Sequence, residues 1–207
     1  AEEVIPCISE LEKFLHDERT TTLVKAGLAH VQFETIHPFL DGNGRVGRLL
    51  ITLLLCADGT LREPLLYLSL FFKRHRDLYY DLLNQVREKG KWEAWLAFFF
   101  EGVATTGNQA FQMASSLLAV FKDDRERIGQ IGRAAPSALE LHRFFQEHPV
   151  ASIREAHKNL PISVPTLHAS AKQLVQLGIL RELPSRGKAH VYAYNRYMEI
   201  LNAAEAN

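Results

Sequence analysis

The chain has 207 residues, of which 47% are hydrophobic and 23% are charged, and its formal net charge is zero. This composition indicates a soluble globular chain with one large core or two smaller ones. No apolar run approaches transmembrane length, since the most apolar stretch, 49–56, is too short, and the first residues carry no signal-peptide pattern.

Residues up to about 127 show helical periodicity almost throughout. The apolar spacing predicts helices at 8–16, 23–36, 44–57, 68–89 and 91–124, the fourth with a break near His75. The two glycines and one proline of 129–136 predict a linker. We therefore expect a helical domain over 1–128, a linker over 129–135 and a second domain over 136–201.

The second domain has a different pattern. It predicts three short helices at 137–147, 153–160 and 163–177, then strands at 179–183 and 190–194 joined by a basic turn over 184–188. Three helices and a two-stranded wing resemble a winged helix-turn-helix domain, whose third helix would be the recognition helix. The expected fold class is mainly α, with a helical core followed by this small domain.

The most informative segment is the loop 37–48, which reads His-Pro-Phe-Leu-Asp-Gly-Asn-Gly-Arg-Val-Gly-Arg. His37 is the only group in it that can accept a proton near neutral pH. Pro38 predicts an extended or turn conformation for His37, and Phe39 is expected to anchor the loop to the core. Asp41 offers hard oxygen ligands of the kind that Mg²⁺ takes when it also holds substrate phosphates.

The loop leads directly into a helix. Gly42 and Gly44 let the backbone approach a ligand closely, and the N-terminus of a helix favours an anion. Arg45 and Arg48 are three residues apart, so both project from one side of the first turn. An apolar face is expected on this helix, formed by Val46, Leu49, Leu50, Leu53 and Leu54.

This loop resembles the signature of the Fic family, His-Pro-Phe-x-(Asp/Glu)-Gly-Asn-Gly-Arg-x-x-Arg, at every specified position. The Tyr79-Tyr80 pair and the stretches 92–95 and 101–104 resemble the bacterial branch that carries a C-terminal winged helix. The resemblance covers roughly residues 5 to 195. It implies a protein adenylyltransferase, a nucleotidyltransferase that uses ATP and Mg²⁺ to transfer AMP to a Ser, Thr or Tyr hydroxyl and releases pyrophosphate.

The resemblance also implies roles for single residues. His37 would be the catalytic base, Asp41 would hold Mg²⁺ between the α- and β-phosphates, and Arg45 and Arg48 would hold the outer phosphates. The remaining nucleotide-binding residues would be Pro38, Phe39, Leu40, Gly42, Asn43 and Gly44, with Tyr80, or else Tyr79, against the adenine.

Two other functions remain open. The first is another transfer of nucleotide or phosphate on the same scaffold. The phosphotransfer branch resembling Doc has a lysine where this chain has Gly44, so Gly44 favours AMP transfer. The second is a DNA-binding regulator. Residues 136–201 hold eight Lys or Arg against five Asp or Glu, and contact with DNA or a partner is expected from Lys172, Arg186 and Lys188. DNA and protein docking are weighed equally.

Cys7 and Cys56 form no disulfide framework, which favours a reducing, cytoplasmic compartment. The expected partner is a protein substrate with an acceptor hydroxyl, without membrane attachment, and a homodimer is a further expectation. In the family, a flap lies ahead of the helix at 8–16, and many members also carry an inhibitory helix. We find no match to the inhibitory motif, so either regulation is different or both elements lie upstream and are absent from this sequence.

Overall fold

The computed structural model of the protein describes residues 3–64, 66–184 and 190–206. By the contacts within them, the residues divide into two compact units, 1–110 and 111–207. The chain is mainly α, as predicted. Unit 1 is built from α1 (Val4–Leu15), α2 (Thr22–Ile36), α3 (Asn43–Ala57), α4 (Leu68–Arg74), α5 (Arg76–Lys89) and the first part of α6 (Trp92–Gly129).

The core of unit 1 is rich in aromatic side chains. Trp95 is fully buried and its indole N–H donates to the carbonyl of Gly27 over 2.9 Å. Gly27 lets α2 and α6 approach closely, because a Cβ there would lie only 2.9 Å from the Phe99 ring. The buried apolar residues around these rings come from α2 to α6, and they include Val31, Ile51, Leu55, Phe71, Phe72, Tyr79 and Phe98. This packing holds α2 against α3, the two helices that flank the motif loop.

Unit 2 contains the end of α6, a 3-10 turn (Gly132–Ala134), α7 (Ala135–Glu147), α8 (Ile153–Asn159), α9 (Val164–Gln176) and α10 (Asn195–Ala206). Its three strands are β1 (Val150–Ser152), β2 (Leu180–Leu183) and β3 (Val191–Tyr194), in the antiparallel order β1-β3-β2. The registers pair Ala151 with Tyr192 and Glu182 with Tyr192.

A buried polar network ties the end of α6 to the rest of unit 2. Asp124 is fully buried and accepts hydrogen bonds from Tyr194 Oη at 2.8 Å and from Arg127 Nη1 at 2.8 Å. The Tyr194 hydroxyl also lies 2.8 Å from Nε2 of His142. Val120 and Ile128 of α6 belong to the same apolar core as α7, α8 and α9. The last turns of α6 are therefore part of unit 2.

The predicted helices are confirmed, including the break at His75, which separates α4 from α5. The predicted linker differs from the structure, because α6 continues to Gly129 and α7 already begins at Ala135. The prediction took Pro136 as part of a linker, but this proline lies in the first turn of α7, where proline is tolerated. Strand β1 and helix α10 were not predicted. The predicted domain boundaries stay a prediction; along the chain, the division between the two compact units falls within α6.

Candidate active site

His37 ends α2 in a left-handed backbone conformation, with φ 51° and ψ 57°. It is the only non-glycine residue with positive φ in the part of the chain that the structure describes. Its N–H donates to the carbonyl of Phe33 over 3.0 Å, and its side chain is exposed. The extended alternative predicted from Pro38 is therefore wrong. A left-handed residue costs of order 1–3 kcal/mol, and such residues concentrate at functional sites.

The loop after His37 is held by a buried amide. Asn43 is 2% exposed, and its Oδ1 accepts a hydrogen bond from the Phe39 N–H at 2.9 Å while its Nδ2 donates to the Phe39 carbonyl at 2.6 Å. The ring of Phe39 is 51% exposed, although it lies beside Phe33 at a centroid distance of 6.2 Å. The prediction that the Phe39 ring anchors the loop to the core is therefore wrong, because the ring is half exposed. The loop is held instead through the backbone of Phe39, which the Asn43 amide binds.

Two oppositely charged side chains lie on the solvent side of the loop. Asp41 Oδ1 accepts from the Gly42 N–H at 2.7 Å, and Asp41 Oδ2 lies 3.2 Å from Nη2 of Arg45. Both side chains are mostly exposed, so their ion pair is readily exchanged for a ligand. Gly42, with φ 87°, is the N-cap of α3, and its left-handed turn is one that glycine adopts without strain.

The first turn of α3 lies directly over the end of α2. A Cβ at Gly47 would lie 3.0 Å from Glu34 Oε1 and 3.2 Å from His30 Nδ1, and a Cβ at Gly44 would lie 3.2 Å from Arg48 Nη1. Gly47 therefore permits the close approach of the two helices, while Gly44 leaves room for the Arg48 guanidinium. The first N–H groups of α3 have no partner four residues earlier, as in any helix, and they face the end at which Asp41 and Arg45 lie.

Ionisable groups are buried beneath this turn. Glu34 is 8% exposed, and burial raises the pKa of its carboxyl against the opposing charge of Arg48. His30 is fully buried, so burial lowers the pKa of its imidazole to about 4, and its Nε2 lies 2.9 Å from the Tyr79 hydroxyl. Burial likewise raises the pKa of Tyr79. At neutral pH His30 is therefore an uncharged core residue.

Sequence reasoning singled out neither His30 nor Glu34. Their spacing carried a signal, because Glu34 precedes His37 by three residues and His30 precedes Glu34 by four, which places them on one side of α2. Gly47, between the two motif arginines, was also passed over, although a glycine inside a helix often marks a close contact.

Residues 1–55 match the family model described as Fic/DOC family. Over these residues the chain is similar to the Fic/DOC family. This part of the chain includes the loop 37–48 and the two helices that hold it.

The curated proteins that this chain is similar to include several named protein adenylyltransferases. The chain is 37% identical over 87 residues to a probable protein adenylyltransferase of Aquifex aeolicus, which covers 41% of this chain and 25% of that protein. It is 37% identical over 84 residues to the protein adenylyltransferase Fic of Drosophila yakuba, covering 39% and 16%. The match to protein adenylyltransferase fic-1 of Caenorhabditis elegans is 38% over 61 residues, covering 28% and 12%. The chain thus spans a quarter or less of the length of these relatives.

A solved structure resembles a larger part of the chain. A Fic family protein from Desulfovibrio desulfuricans G20 matches with a TM-score of 0.52 and 20% identity, covering 94% of this chain and 55% of that protein. At this identity the likeness concerns the fold alone.

The two tyrosines of α5 in unit 1 have different surroundings. Tyr79 is 3% exposed and packs against Phe72 at a ring distance of 4.8 Å, so its ring is not free to stack on a base. Tyr80 is 51% exposed, and the guanidinium of Arg76 lies 5.7 Å from its ring centre. Burial thus favours Tyr80 for a nucleotide contact, which remains a prediction.

The exposed side of α3 is apolar. Leu49 and Leu53 are 54% and 56% exposed, Val46 is 37% exposed, and Leu40 in the loop is fully exposed. The buried side of α3 instead carries Asn43, Gly47, Ile51 and Leu55. The predicted apolar face therefore exists, but most of its side chains point away from the core of unit 1.

The side chains around the loop offer few ligands for a metal. Among the described residues, no group of three or more His, Cys, Asp or Glu side chains could hold an ion. Asp41 supplies one exposed carboxylate at the entrance to α3. One carboxylate fits Mg²⁺ if substrate phosphates and water complete the shell, because Mg²⁺ is often held in this way.

The predicted contacts of the second domain lie in unit 2. Lys172 is exposed on α9, the helix predicted for recognition. Arg186 and Lys188 lie outside the described residues. None of the helices in the described ranges is long and apolar enough to cross a membrane.

Proposed function

We propose that the protein transfers AMP from ATP to a hydroxyl group of a protein substrate and releases pyrophosphate. The observation that carries this proposal is the exposed imidazole of His37, held in a left-handed conformation at the entrance to α3. The names of the relatives support the same activity, as does the Fic/DOC match over residues 1–55. The identity of the acceptor side chain, Ser, Thr or Tyr, is part of the proposal.

The entrance to α3 is suited to a polyphosphate. Free N–H groups and the helix dipole attract anions to this end, while Arg45 adds an exposed guanidinium that now pairs with Asp41. Two arginines in the first turn disfavour the helix on its own, and a bound triphosphate would remove that conflict. Gly42, Asn43 and Gly44 would line the phosphates, Pro38, Phe39 and Leu40 would complete the nucleotide-binding loop, and Tyr80 would contact the adenine.

The proposed reaction is a displacement at the α-phosphorus. Nε2 of His37 accepts the proton of the target hydroxyl as its oxygen forms a bond to the α-phosphorus. The bond from that phosphorus to the oxygen bridging to the β-phosphate breaks, and pyrophosphate leaves with the electron pair. His37 then releases its proton to solvent. Arg45 and Arg48 would stabilise the negative charge that collects on the leaving group.

Asp41 would hold Mg²⁺ together with the phosphates. When bound, the ion would offset phosphate charge and orient the α-phosphate. Asp41 must first give up its pairing with Arg45, which costs little because both side chains are exposed.

Gly44 favours AMP transfer over phosphate transfer. A Cβ at this position would lie 3.2 Å from Arg48 Nη1 and 3.5 Å from Glu34 Oε1. A lysine here, as in the Doc-like branch, would therefore require Arg48 to move. The present arrangement leaves Arg48 beside the start of α3.

The test uses two ATP samples, one labelled at the α-phosphate and one at the γ-phosphate, incubated with the protein and a cell lysate. The α-label is expected on protein, the γ-label is expected in pyrophosphate, and mass spectrometry should find an added AMP group. The variant His37→Ala should place no α-label and no AMP group on protein. The control His16→Ala, which replaces another exposed histidine of unit 1, should retain transfer. A γ-label on protein without the α-label would replace this proposal with phosphate transfer.

For unit 2 we propose a winged helix-turn-helix domain that docks DNA or protein. The order α7, β1, α8, α9, β2, β3 supports it, as does the capping box that starts α8, in which Ser152 and Glu155 exchange hydrogen bonds. The location of Lys172 on α9 supports contact through that helix. The assignment to the bacterial branch, the cytoplasmic location and the homodimer stay predictions.

A further inference from the structure

We infer that Arg87 of α5 is a positioning residue for His37, because it holds the carbonyl group against which the imidazole is set. This inference rests on the proposed function for its catalytic meaning. Its structural part, the fixing of one tautomer of His37, can be measured without any turnover.

Pro38 creates the acceptor. In an α-helix the carbonyl of residue 34 would accept the N–H of residue 38, but proline has no N–H to donate. The carbonyl of Glu34, in the last turn of α2, is therefore available to other donors. The Glu34 carbonyl is partly buried, and a carbonyl withdrawn from water without a partner is unfavourable, so a replacement donor stabilises this end of the helix.

Arg87 supplies that donor. Its Nη2 donates to the carbonyl of Glu34 at 2.8 Å, and its Nε donates to Thr35 Oγ1 at 3.1 Å. Thr35 Oγ1 donates in turn to the carbonyl of Val31 at 2.8 Å. The third nitrogen, Nη1, donates to Asn84 Oδ1 at 3.2 Å, within α5 itself. The planar guanidinium thus holds two consecutive residues of α2 from a neighbouring helix.

The same carbonyl faces the imidazole. His37 Nδ1 lies 3.4 Å from the Glu34 oxygen. Since a carbonyl oxygen can only accept, this contact favours the tautomer with the proton on Nδ1. Nε2 then carries the lone pair, which is the atom that the proposed reaction requires. The contact is long for a hydrogen bond, and catalytic contacts of this kind commonly shorten when substrate binds.

Arg87 acts by geometry more than by its charge. Lysine carries the same charge but presents one ammonium group, which cannot hold the Glu34 carbonyl, Thr35 and Asn84 in the fixed planar geometry of a guanidinium. Glutamine removes both the charge and the guanidinium. A graded loss from arginine to lysine to glutamine therefore separates positioning from a general effect of charge.

The experiment compares Arg87→Gln, Arg87→Lys and the control Lys89→Gln, which removes an exposed charge from the same helix. The first measurement is the tautomer of His37, read at alkaline pH from the Nδ1 and Nε2 chemical shifts of ¹⁵N-histidine-labelled protein. The signal of His37 is assigned by its loss in His37→Ala. The second is kcat and KM for ATP in AMP transfer, with thermal unfolding to follow the fold.

We expect wild-type protein and Lys89→Gln to show the Nδ1–H tautomer, and Arg87→Gln to show a mixture. For Arg87→Gln kcat should fall by up to roughly 10²-fold, the effect of a misplaced catalytic group, while KM for ATP stays unchanged. Arg87→Lys should lie between. Wild-type kcat together with an unchanged tautomer in Arg87→Gln would overturn the inference, and if that variant does not fold, the same result in Arg87→Lys would do so.

Failure of the proposed function would look different. If wild-type protein transferred no AMP to any target, the activity would be rejected, yet the tautomer spectra would still test whether Arg87 sets the imidazole.

Discussion

The side-chain amide of Asn43 binds both backbone groups of Phe39, its oxygen accepting from the N–H at 2.9 Å and its nitrogen donating to the carbonyl at 2.6 Å. The two bonds close the motif loop upon the first residue of α3. Whatever binds at the entrance to α3 therefore meets a loop whose shape is set from beneath by one buried amide.

Replacing Asn43 by Asp should destabilise unit 1. The new carboxylate keeps an acceptor for the Phe39 N–H but brings a second oxygen against the Phe39 carbonyl. We expect the free energy of unfolding to fall by roughly 1–3 kcal/mol or more, the penalty for a buried polar group left without a partner. Urea unfolding followed by tryptophan fluorescence measures it, because both tryptophans, Trp92 and Trp95, lie in unit 1. The control is Asp41→Asn, a substitution of an exposed side chain. Equal stability of the two variants would contradict the role of Asn43 in anchoring the loop.

Replacing His37 by Ala should abolish AMP transfer. Loss of general-base catalysis lowers a rate by roughly 10²–10⁴, and no other group of the loop can accept the proton near neutral pH. ATP affinity, measured by calorimetry, should remain, because the phosphates are expected to bind at the entrance to α3. Transfer at the wild-type rate by this variant would reject the imidazole as the base.

Replacing Asp41 by Ala should weaken the dependence of turnover on Mg²⁺ with little effect on folding, because the side chain is 93% exposed. The metal would offset phosphate charge during the reaction. Titrating Mg²⁺ against initial rate, with Asp77→Ala on α5 as control, measures the effect. A variant with the full wild-type Mg²⁺ response, or wild-type activity that survives excess EDTA, would show that Asp41 is no metal ligand.

The burial of His30 predicts a pH dependence of stability. Its pKa is about 4 in the folded chain against an ordinary 6.5. Between pH 6.5 and about pH 4, His30 is therefore protonated in the unfolded chain and neutral in the folded chain. Its contribution is fully present above pH 6.5 and is lost as the pH falls to about 4, an effect on the order of 3 kcal/mol. The variant His30→Gln should flatten the plot of the free energy of unfolding against pH over this window. Parallel curves for the two proteins would reject a neutral, buried His30.

The proposal for unit 2 predicts how DNA binding should respond to salt. If unit 2 binds duplex DNA, neutralising Lys172, Arg186 and Lys188 together should weaken binding. The slope of log K against log salt should also become shallower, by about 0.9 for each phosphate that these side chains no longer neutralise. The matched control is Lys122→Gln, an exposed lysine on the unit 2 part of α6. Absence of duplex binding at low salt would leave protein docking as the better account, and AMP transfer to a self target should persist in the triple variant.

Helices such as α3 and α5 could be predicted from periodicity, because their apolar residues recur at helical spacing. The orientation of α3 could not be predicted from it. Its buried side contains Gly47, which has no side chain to mark it, and the helix packs there because glycine lets Glu34 and His30 approach. The leucines at 49 and 53 dominate the hydrophobic pattern, yet they are the exposed ones.

The membership of the candidate site stays a prediction, and its geometry could not be predicted from the sequence. Asn43 is expected to line an anion cradle, and the sequence does not show that its side-chain amide also holds the backbone of the loop. Tyr79 and Tyr80 are neighbours on one helix, and only packing decides that the first is buried. The hydrogen bond of Arg87 to Glu34 joins residues 53 apart in sequence, which no local pattern indicates.

The long helix α6 has a consequence for how this protein could exchange parts with others. A cut at the loop-like segment after Gly129 would remove Val120, Asp124 and Ile128 from the core of unit 2 and leave the Tyr194 hydroxyl without its carboxylate acceptor. Recombination that carries unit 2 into another protein must therefore take the helix from Phe111 onward with it. The crossover point that preserves both cores lies within a helix, where a fusion must also keep the helical phase.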